Sequence, residues 1–268
     1  MSIPGRLVLL GHPVRHSLSP RFQNAALRAA GIHLTYEALD VAPHALGDVL
    51  SQLRAGRGAG NVTVPHKAAV AEACDQHTGT ATRTGAVNTF WCEGKQLVGD
   101  NTDVAGFRAL VLSVLGEEPR DAVVGLLGGG GGAAAVCAVV ERWPGARIRV
   151  HARTTDRAAA LARRFPSLVE PAASPGDAIR DATIVINATP VGLSGNEMPV
   201  PVSELPRDAT VMDLAYRAGL TPWIATARAA GHRAADGLEM LIAQGAEAFE
   251  RWFGRAPDRD VMRAALAA

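Results

Sequence analysis

Ala122-Val-Val-Gly-Leu-Leu127, Gly128-Gly-Gly-Gly-Gly132 and Ala133-Ala-Ala-Val-Cys-Ala-Val-Val140 follow one another without a charged residue. The first run is short and apolar, as a buried strand is. The last is made of small and apolar residues, as a closely packed helix is. Glycines turn the chain between them, and strand, tight turn and helix in that order open a βαβ unit. Gly128, Gly130 and Ala133 take the fingerprint positions of G-x-G-x-x-G/A. The first glycine permits a sharp turn, the second a close backbone approach to a pyrophosphate, and the small third residue close packing of helix on strand. The helix N-terminus then offers free N–H groups and a positive dipole end to an anion. Gly128, Gly129, Gly130, Gly131 and Gly132 are therefore a candidate dinucleotide site. A glycine run alone suits a flexible linker equally well, and only the flanks decide against that. The uncharged stretch is nearly long enough to cross a bilayer, but its glycine block would break a spanning helix.

Downstream, a second strand reads Arg147–Val150. At its end, about 20 residues past the glycines, an NAD enzyme places an acid on the ribose 2′-hydroxyl. Here the chain reads Val150-His-Ala-Arg-Thr154 with no acid, and Arg157 follows Arg153 closely. Two guanidiniums can grip a 2′-phosphate bidentately, which predicts NADP over NAD. Further strands are expected at Thr183–Asn187, Thr210–Asp213 and Gly231–Asp236. Helices are expected at Asp156–Arg164, from a Thr221 cap followed by Pro222, and over Gly237–Trp252.

Upstream, strand and helix alternate too. Arg6–Leu10 reads as a strand, Ser19-Pro20 as an N-cap and first helical residue, and Leu34–Val41 as a strand. Pro43–Arg54 reads as a helix, Asn61–Val64 as a strand, and Pro65-His-Lys67 as the start of another helix. Gly85–Trp91 and Lys95–Val98 pair as a hairpin about Glu93-Gly94. A helix from Thr102 to Leu115 is expected to connect two domains. The pattern is α/β with mostly parallel sheets. Residues 1–103 and 238–268 are assigned to a three-layer α/β/α domain and 104–237 to a Rossmann-type dinucleotide-binding domain, the C-terminal helix returning to the first.

Composition narrows the partners. The chain has 268 residues, 48% of them hydrophobic and 20% charged, with a net charge of +1. No broad basic face points to nucleic acid or an anionic membrane. Cys74, Cys92 and Cys137 are far apart and odd in number, which fits reduced thiols and a cytoplasmic protein. His12 and His16 stand in a Pro-containing loop rather than on one helix face, so no metal is expected. No secretory signal is apparent. The final helix, with Phe249, Trp252 and Phe253, suits a monomer or a homodimer.

Several blocks together resemble the shikimate dehydrogenases. They are Gly11-His-Pro-Val-Arg-His-Ser-Leu-Ser-Pro20, Gly60-Asn-Val-Thr-Val-Pro-His-Lys67, Gly85-Ala-Val-Asn-Thr89 and Gly99-Asp-Asn-Thr-Asp103. The glycine loop, Arg153-Thr154, Asn187-Ala-Thr-Pro190, Asp213-Leu-Ala-Tyr216 and Gly237-Leu-Glu-Met-Leu241 with Gln244 follow in the family's order. The resemblance implies reversible NADPH-dependent reduction of 3-dehydroshikimate to shikimate, in aromatic amino-acid and chorismate biosynthesis. It implies Lys67 and Asp103 as the catalytic pair. It implies substrate contacts from Ser17, Ser19, Asn61, Thr63, Asn88, Tyr216 and Gln244. Cofactor contacts would come from the glycine loop, Ala152, Arg153, Thr154, Arg157, Thr189, Leu214, Gly237 and Met240. Two departures stand out. Ala152 replaces the family's usual asparagine, and Gly129 and Gly132 stand where alanine is usual, which is expected to soften the loop without obstructing it.

The residue types suit that chemistry. Oxidising a secondary alcohol needs a hydride acceptor and a base for the hydroxyl proton, and the reverse needs an acid. Lys67 and Asp103 each open a helix just beyond a strand. Ser17 and Ser19 flank Leu18 at a helix start, where two hydroxyls suit a carboxylate. Asn61, Thr63, Asn88 and Gln244 offer neutral partners to ring hydroxyls. The alternatives are a quinate/shikimate or aminoshikimate dehydrogenase, and a non-catalytic NADP-binding regulator on the same fold.

Overall fold

The computed structural model describes residues 3–217 and 219–267. The chain begins with β1 (Arg6–Gly11), α1 (Ser19–Ala29), β2 (Tyr36–Asp40), α2 (Leu46–Ala55), β3 (Gly58–Val62) and α3 (Lys67–Ala73). Then come β4 (Gln76–His77), α4 (Gly79–Thr84), β5 (Thr89–Glu93), β6 (Gln96–Asp100) and α5 (Asp103–Leu115). The next stretch holds β7 (Val123–Leu127), α6 (Gly131–Val140), β8 (Arg147–His151), α7 (Thr155–Arg164), β9 (Val169–Pro171) and α8 (Pro175–Ile179). It continues with β10 (Ile184–Asn187), β11 (Thr210–Asp213), α9 (Pro222–Ala229) and β12 (Ala234–Ala235), and the chain closes with α10 (Leu238–Phe253) and α11 (Arg259–Ala267).

Phe107–Met240 form one compact unit, and the residues before and after it form another. The divides fall inside α5 and α10. The first unit holds a sheet in the order β2-β1-β3-β5-β6-β4. Strand β5 runs antiparallel to both neighbours, and the other pairings are parallel. The second unit holds an entirely parallel sheet in the order β12-β11-β10-β7-β8-β9. Its order reverses between β7 and β10, a switch point beyond whose strand ends ligands bind in such sheets.

Each sheet is buttressed by its own apolar cluster. In the first, Val8, Leu10, Leu50, Leu53, Val62, Val70, Phe90 and Leu97 pack between strands and helices. In the second, Val185, Val211, Trp223, Ile224 and Ala227 do so. Each buried Val, Leu, Ile or Phe among them contributes roughly 1.5–3 kcal/mol by leaving water. Helix α10 joins the first unit's core where Gly245 meets α1. A methyl group there would lie 2.3 Å from the Phe22 ring, and the Gln23 amide donates to the Gly245 carbonyl at 2.9 Å. Further along, Arg251 donates to the buried Asp100 carboxylate at 2.9 Å, and the Trp252 indole N–H to the Phe90 carbonyl at 3.2 Å.

Several local expectations need correction. Ser19 does not cap α1. It is the helix's first residue, and its N–H donates to the Ser17 hydroxyl at 3.2 Å. The strand expected to reach Val64 ends at Val62, because Pro65 lacks an N–H and Val64 is turned to solvent. Thr221 precedes α9 but its hydroxyl does not cap the helix. It donates instead to Asp213 at 2.8 Å. The short elements β4, α4, β9 and α8 and the terminal α11 were not foreseen, four of them being too brief to show a period. The uncharged 122–140 stretch is β7, the glycine turn and α6. No helix among the described residues is long and apolar enough to cross a membrane.

Candidate active site

Strand register assembles the site in the first unit. Asn61 on β3 faces Thr89 on β5, and Thr89 faces Asp100 on β6. The C-terminal ends of β3 and β6 and the N-terminal end of β5 therefore share one edge of the sheet. Lys67 opens the helix after β3, Asn88 stands just before β5, and Asp103 opens the helix after β6. Lys67 Nζ donates to Asp103 Oδ2 at 2.5 Å. The lysine side chain is 19% exposed and the aspartate 8%, so the pair is largely shielded yet reachable from one side.

Asparagines hold the aspartate. Asn88 Nδ2 donates to Asp103 Oδ1 at 2.8 Å, and Asp103 N–H donates to Asn101 Oδ1 at 3.1 Å. Asn88 Oδ1 accepts from Thr102 N–H at 2.7 Å and from the Thr102 and Thr89 hydroxyls at 3.1 and 3.0 Å. A carboxylate only accepts and a backbone N–H only donates, so both ends of the Asn88 amide are fixed. Behind it, Asn61 Nδ2 donates to Thr89 Oγ1 at 2.9 Å and to the Asn88 carbonyl at 3.2 Å, while its Oδ1 accepts from the Tyr36 hydroxyl at 2.8 Å. Gln244 folds its amide N–H onto the Leu241 carbonyl at 2.9 Å and takes a long 3.4 Å contact from Asn88.

The residues expected to meet substrate thus divide. Asn61 and Asn88 already take part in the internal network. Ser19 and Thr63 have hydroxyls without a partner among the described residues, and Thr63 lies against Gly11, where a methyl would come within 2.4 Å of its Cγ2. Ser17, Ser19, Asn61, Thr63, Lys67, Asn88, Asp103 and Gln244 all belong to the first unit, and Tyr216 to the second. Tyr36, Thr89, Asn101 and Thr102 were missed as supports. The paired Asn-Thr steps at 88–89 and 101–102 were a sequence signal; Tyr36, in an ordinary strand, gave none.

In the second unit Gly128 follows β7 with φ of 117°, and a methyl there would come within 2.7 Å of the Ala188 carbonyl oxygen. Only glycine fits. Position 130 faces open space, and Gly130 precedes α6 in extended backbone without a side chain to cap it. The first N–H groups of a ten-residue helix are left to an incoming anion. Beyond β8 no carboxylate stands at the strand end. Arg153 and Arg157 are exposed there, neither paired with an acid among the described residues. The residues fit a phosphorylated dinucleotide. Gly129 is more than a softened alanine, however. A methyl on it would lie 2.8 Å from Arg157 Cβ and 3.1 Å from Ala152 Cβ. Gly132 has room, its nearest neighbour being Leu214 Cδ1 at 3.5 Å.

Behind this cradle sits a buried polar knot. Asn187 and Asp213 are partners in register at the ends of β10 and β11. Asp213 Oδ1 accepts from Asn187 Nδ2 and Ala215 N–H, both at 2.9 Å. Asn187 Oδ1 accepts from the Thr189 N–H and hydroxyl at 3.0 and 2.6 Å. The Thr189 side chain is therefore used inside the loop. Burial pushes the Asp213 carboxyl up to about 6 against the pull of its three donors.

A lysine that can pass a proton beside a fixed carboxylate, and a cradle for a 2′-phosphorylated dinucleotide, are the parts of an NADP-dependent oxidoreductase acting on a CH–OH group. Known proteins agree. Profiles described as shikimate dehydrogenase substrate binding domain and shikimate 5′-dehydrogenase C-terminal domain match residues 9–90 and 237–267. A shikimate dehydrogenase (NADP(+)) of Symbiobacterium thermophilum is 42% identical over 282 residues, covering 99% of this chain and 95% of the relative. The shikimate 5-dehydrogenase of Thermus thermophilus in complex with NADP(H) and shikimate has a TM-score of 0.84 at 37% identity, covering 97% of this chain and 98% of that one. A quinate dehydrogenase of Corynebacterium glutamicum in complex with NAD has a TM-score of 0.82 at 31% identity, covering 97% of each. The chain belongs to the shikimate dehydrogenase family.

Proposed function

We propose that Lys67 and Asp103 are the acid–base pair of an NADP-dependent shikimate dehydrogenase that reduces 3-dehydroshikimate reversibly. The observation that carries this is the 2.5 Å contact of Lys67 Nζ with an aspartate whose other oxygen is held by Asn88. Bound NADPH supplies the hydride, and NADP+ accepts it in the reverse direction. Lys67 Nζ gives a proton to the carbonyl oxygen during reduction and takes it from the hydroxyl during oxidation. Asp103 holds the ammonium in place and stabilises its charge. Ser17, Ser19, Asn61, Thr63, Asn88, Tyr216 and Gln244 bind the substrate's carboxylate and hydroxyls, and Asn61 and Asn88 also brace the floor of the site. Residues 1–103 and 238–268 form the substrate domain, and 104–237 hold the cofactor. The glycine loop carries the pyrophosphate, and Arg153 with Arg157 the 2′-phosphate, flanked by Ala152 and Thr154. Thr189, Leu214, Gly237 and Met240 complete the cofactor wall. The enzyme works in the cytoplasm, where Cys74, Cys92 and Cys137 stay as free thiols, as a monomer or homodimer.

Replacing Lys67→Ala tests the pair. Turnover of 3-dehydroshikimate should fall by roughly 10²–10⁴-fold, while NADPH still binds. Near-full turnover in the variant rules the assignment out. A quinate enzyme is the second reading, because one shares the fold. That enzyme was solved with NAD, whereas arginines in place of an acid after β8 favour NADP here, and kcat/KM for shikimate and quinate with each cofactor separates the two.

A further inference from the structure

We propose that Asp213 is the positioning residue of the cofactor site, a buried tether that holds the loops after β10 and β11 in their binding shape before cofactor arrives. This rests on the NADP assignment above and adds a residue that the fingerprint does not contain.

The geometry is specific. Asp213 is fully buried, and no cation pairs with it among the described residues. Its three donors come from three separate stretches. Asn187 ends β10, Ala215 lies in the loop after β11, and Thr221 precedes α9. The first two stretches run directly into residues of the proposed cofactor wall. Asn187 holds Thr189 by two hydrogen bonds and donates to the Val191 carbonyl at 3.1 Å, and Thr189 Oγ1 accepts from Val191 N–H at 3.2 Å. Leu214 N–H donates to the Asn187 carbonyl at 2.8 Å, and the Leu214 side chain lies over Gly132. Ala215 accepts from Gly237 N–H at 3.0 Å, and a methyl at Gly237 would strike the Leu214 carbonyl at 2.3 Å. One carboxylate therefore links Thr189, Leu214 and Gly237. The knot also lies beside the glycine loop, since Asn187 is the register partner of Leu127, the residue before Gly128.

A carboxylate is an expensive way to satisfy three donors in the interior. Burial and the nearby Asp236 both raise its pKa, so the site disfavours the charge it carries. What a carboxylate offers is acceptor capacity on two oxygens without a competing donor. Loops fixed in this way have already lost the freedom that binding would otherwise remove, and affinity rises accordingly.

Replacing Asp213→Ala should raise the NADPH Kd, read by fluorescence titration, at least tenfold. The shikimate Kd, measured by calorimetry without cofactor, should stay within twofold. Asp213→Asn keeps an acceptor for Asn187 and Ala215, and Thr221 can turn its hydroxyl to accept; its NADPH Kd should stay within threefold of the original. A purely structural role would lower thermal stability without this split. Should Asp213→Ala fail to fold, hydrogen exchange on the unaltered, cofactor-free chain carries the test: the N–H groups of Thr189, Leu214 and Ala215 should be protected. An unchanged Kd in folded Asp213→Ala, an Asn variant as weak as the Ala variant, or unprotected amides in the free chain would each overturn the proposal. No NADPH binding by the unaltered chain would overturn the cofactor assignment, and the tether with it.

Discussion

Asn88→Ala is the most direct probe of the catalytic floor. The side chain donates to Asp103 Oδ1 at 2.8 Å and accepts from Thr102 N–H at 2.7 Å, all buried. A hydrogen bond to a charged group is worth about 1.5–3 kcal/mol, and a buried N–H left without an acceptor costs about 1–3 kcal/mol. The Thr89 and Thr102 hydroxyls also lose an acceptor, but they can rotate toward each other, already 2.9 Å apart. On the proposed role of Asp103 the first quantity belongs to catalysis; the second belongs to folding. If the whole of the first is expressed in the transition state, kcat/KM falls about 10- to 150-fold. The melting temperature should fall alongside it. Initial rates of shikimate-dependent NADP reduction give the catalytic change, thermal melts give the stability change, and NADPH titration serves as the control that should not move. A folded Asn88→Ala enzyme with kcat/KM within threefold of the parent would show that Asp103 does not depend on this asparagine.

Two further changes read other parts of the molecule. The Asp213 carboxyl is raised from 3.8 to about 6 by burial. The folded chain therefore keeps its proton longer than the unfolded chain does, and stability falls as pH rises between those values, then levels off. Asp213→Asn removes that slope, so its stability relative to the parent should improve by about 2 kcal/mol from pH 4 to pH 7; parallel denaturation curves for the two proteins across this range would contradict the account. Gly129→Ala places a methyl 2.8 Å from Arg157 Cβ, and crowding of this kind costs roughly 1–3 kcal/mol. If Arg157 yields, the NADPH Kd rises several-fold while NADH, lacking the 2′-phosphate, binds as before; equal losses for both would place the strain elsewhere.

What could be read from the chain was what neighbours in sequence decide. The glycine loop, its flanking strand and helix, and the arginines after β8 lie within one βαβ unit, so order and spacing were enough. The hairpin was legible for the same reason, from Glu93-Gly94 between two apolar runs. Ser19 and Thr221 show the limit of local rules. Each stands before a proline at a helix start, and each was expected to cap. Ser19 became the first helical residue, and Thr221 gave its hydroxyl to Asp213 on a strand eight residues back. A cap prediction assumes that no better acceptor is in reach, and only the fold says whether one is. Tyr36 and Asn61 are 25 positions apart, and nothing in a strand reading Tyr-Glu-Ala-Leu-Asp marks its tyrosine as a support for an asparagine on another strand.

The reversed strand β5 explains why those supports exist. In an all-parallel sheet the start of a strand lies at the edge opposite its neighbours' ends. Asn88, which immediately precedes β5, would then sit a strand's length from Lys67 and Asp103. Running β5 backwards puts that start between the ends of β3 and β6, where Asn88 reaches Asp103 Oδ1 while Lys67 takes Oδ2. The pairing that secures this runs from Thr89 opposite Asp100 to Glu93 opposite Gln96. Its turn needs Gly94, whose φ of 62° suits glycine. A slip of one residue would turn Thr89 to the other face of the sheet, away from Asn61 and Thr102. The geometry of the proposed catalytic pair is therefore set in part at the far turn of this hairpin.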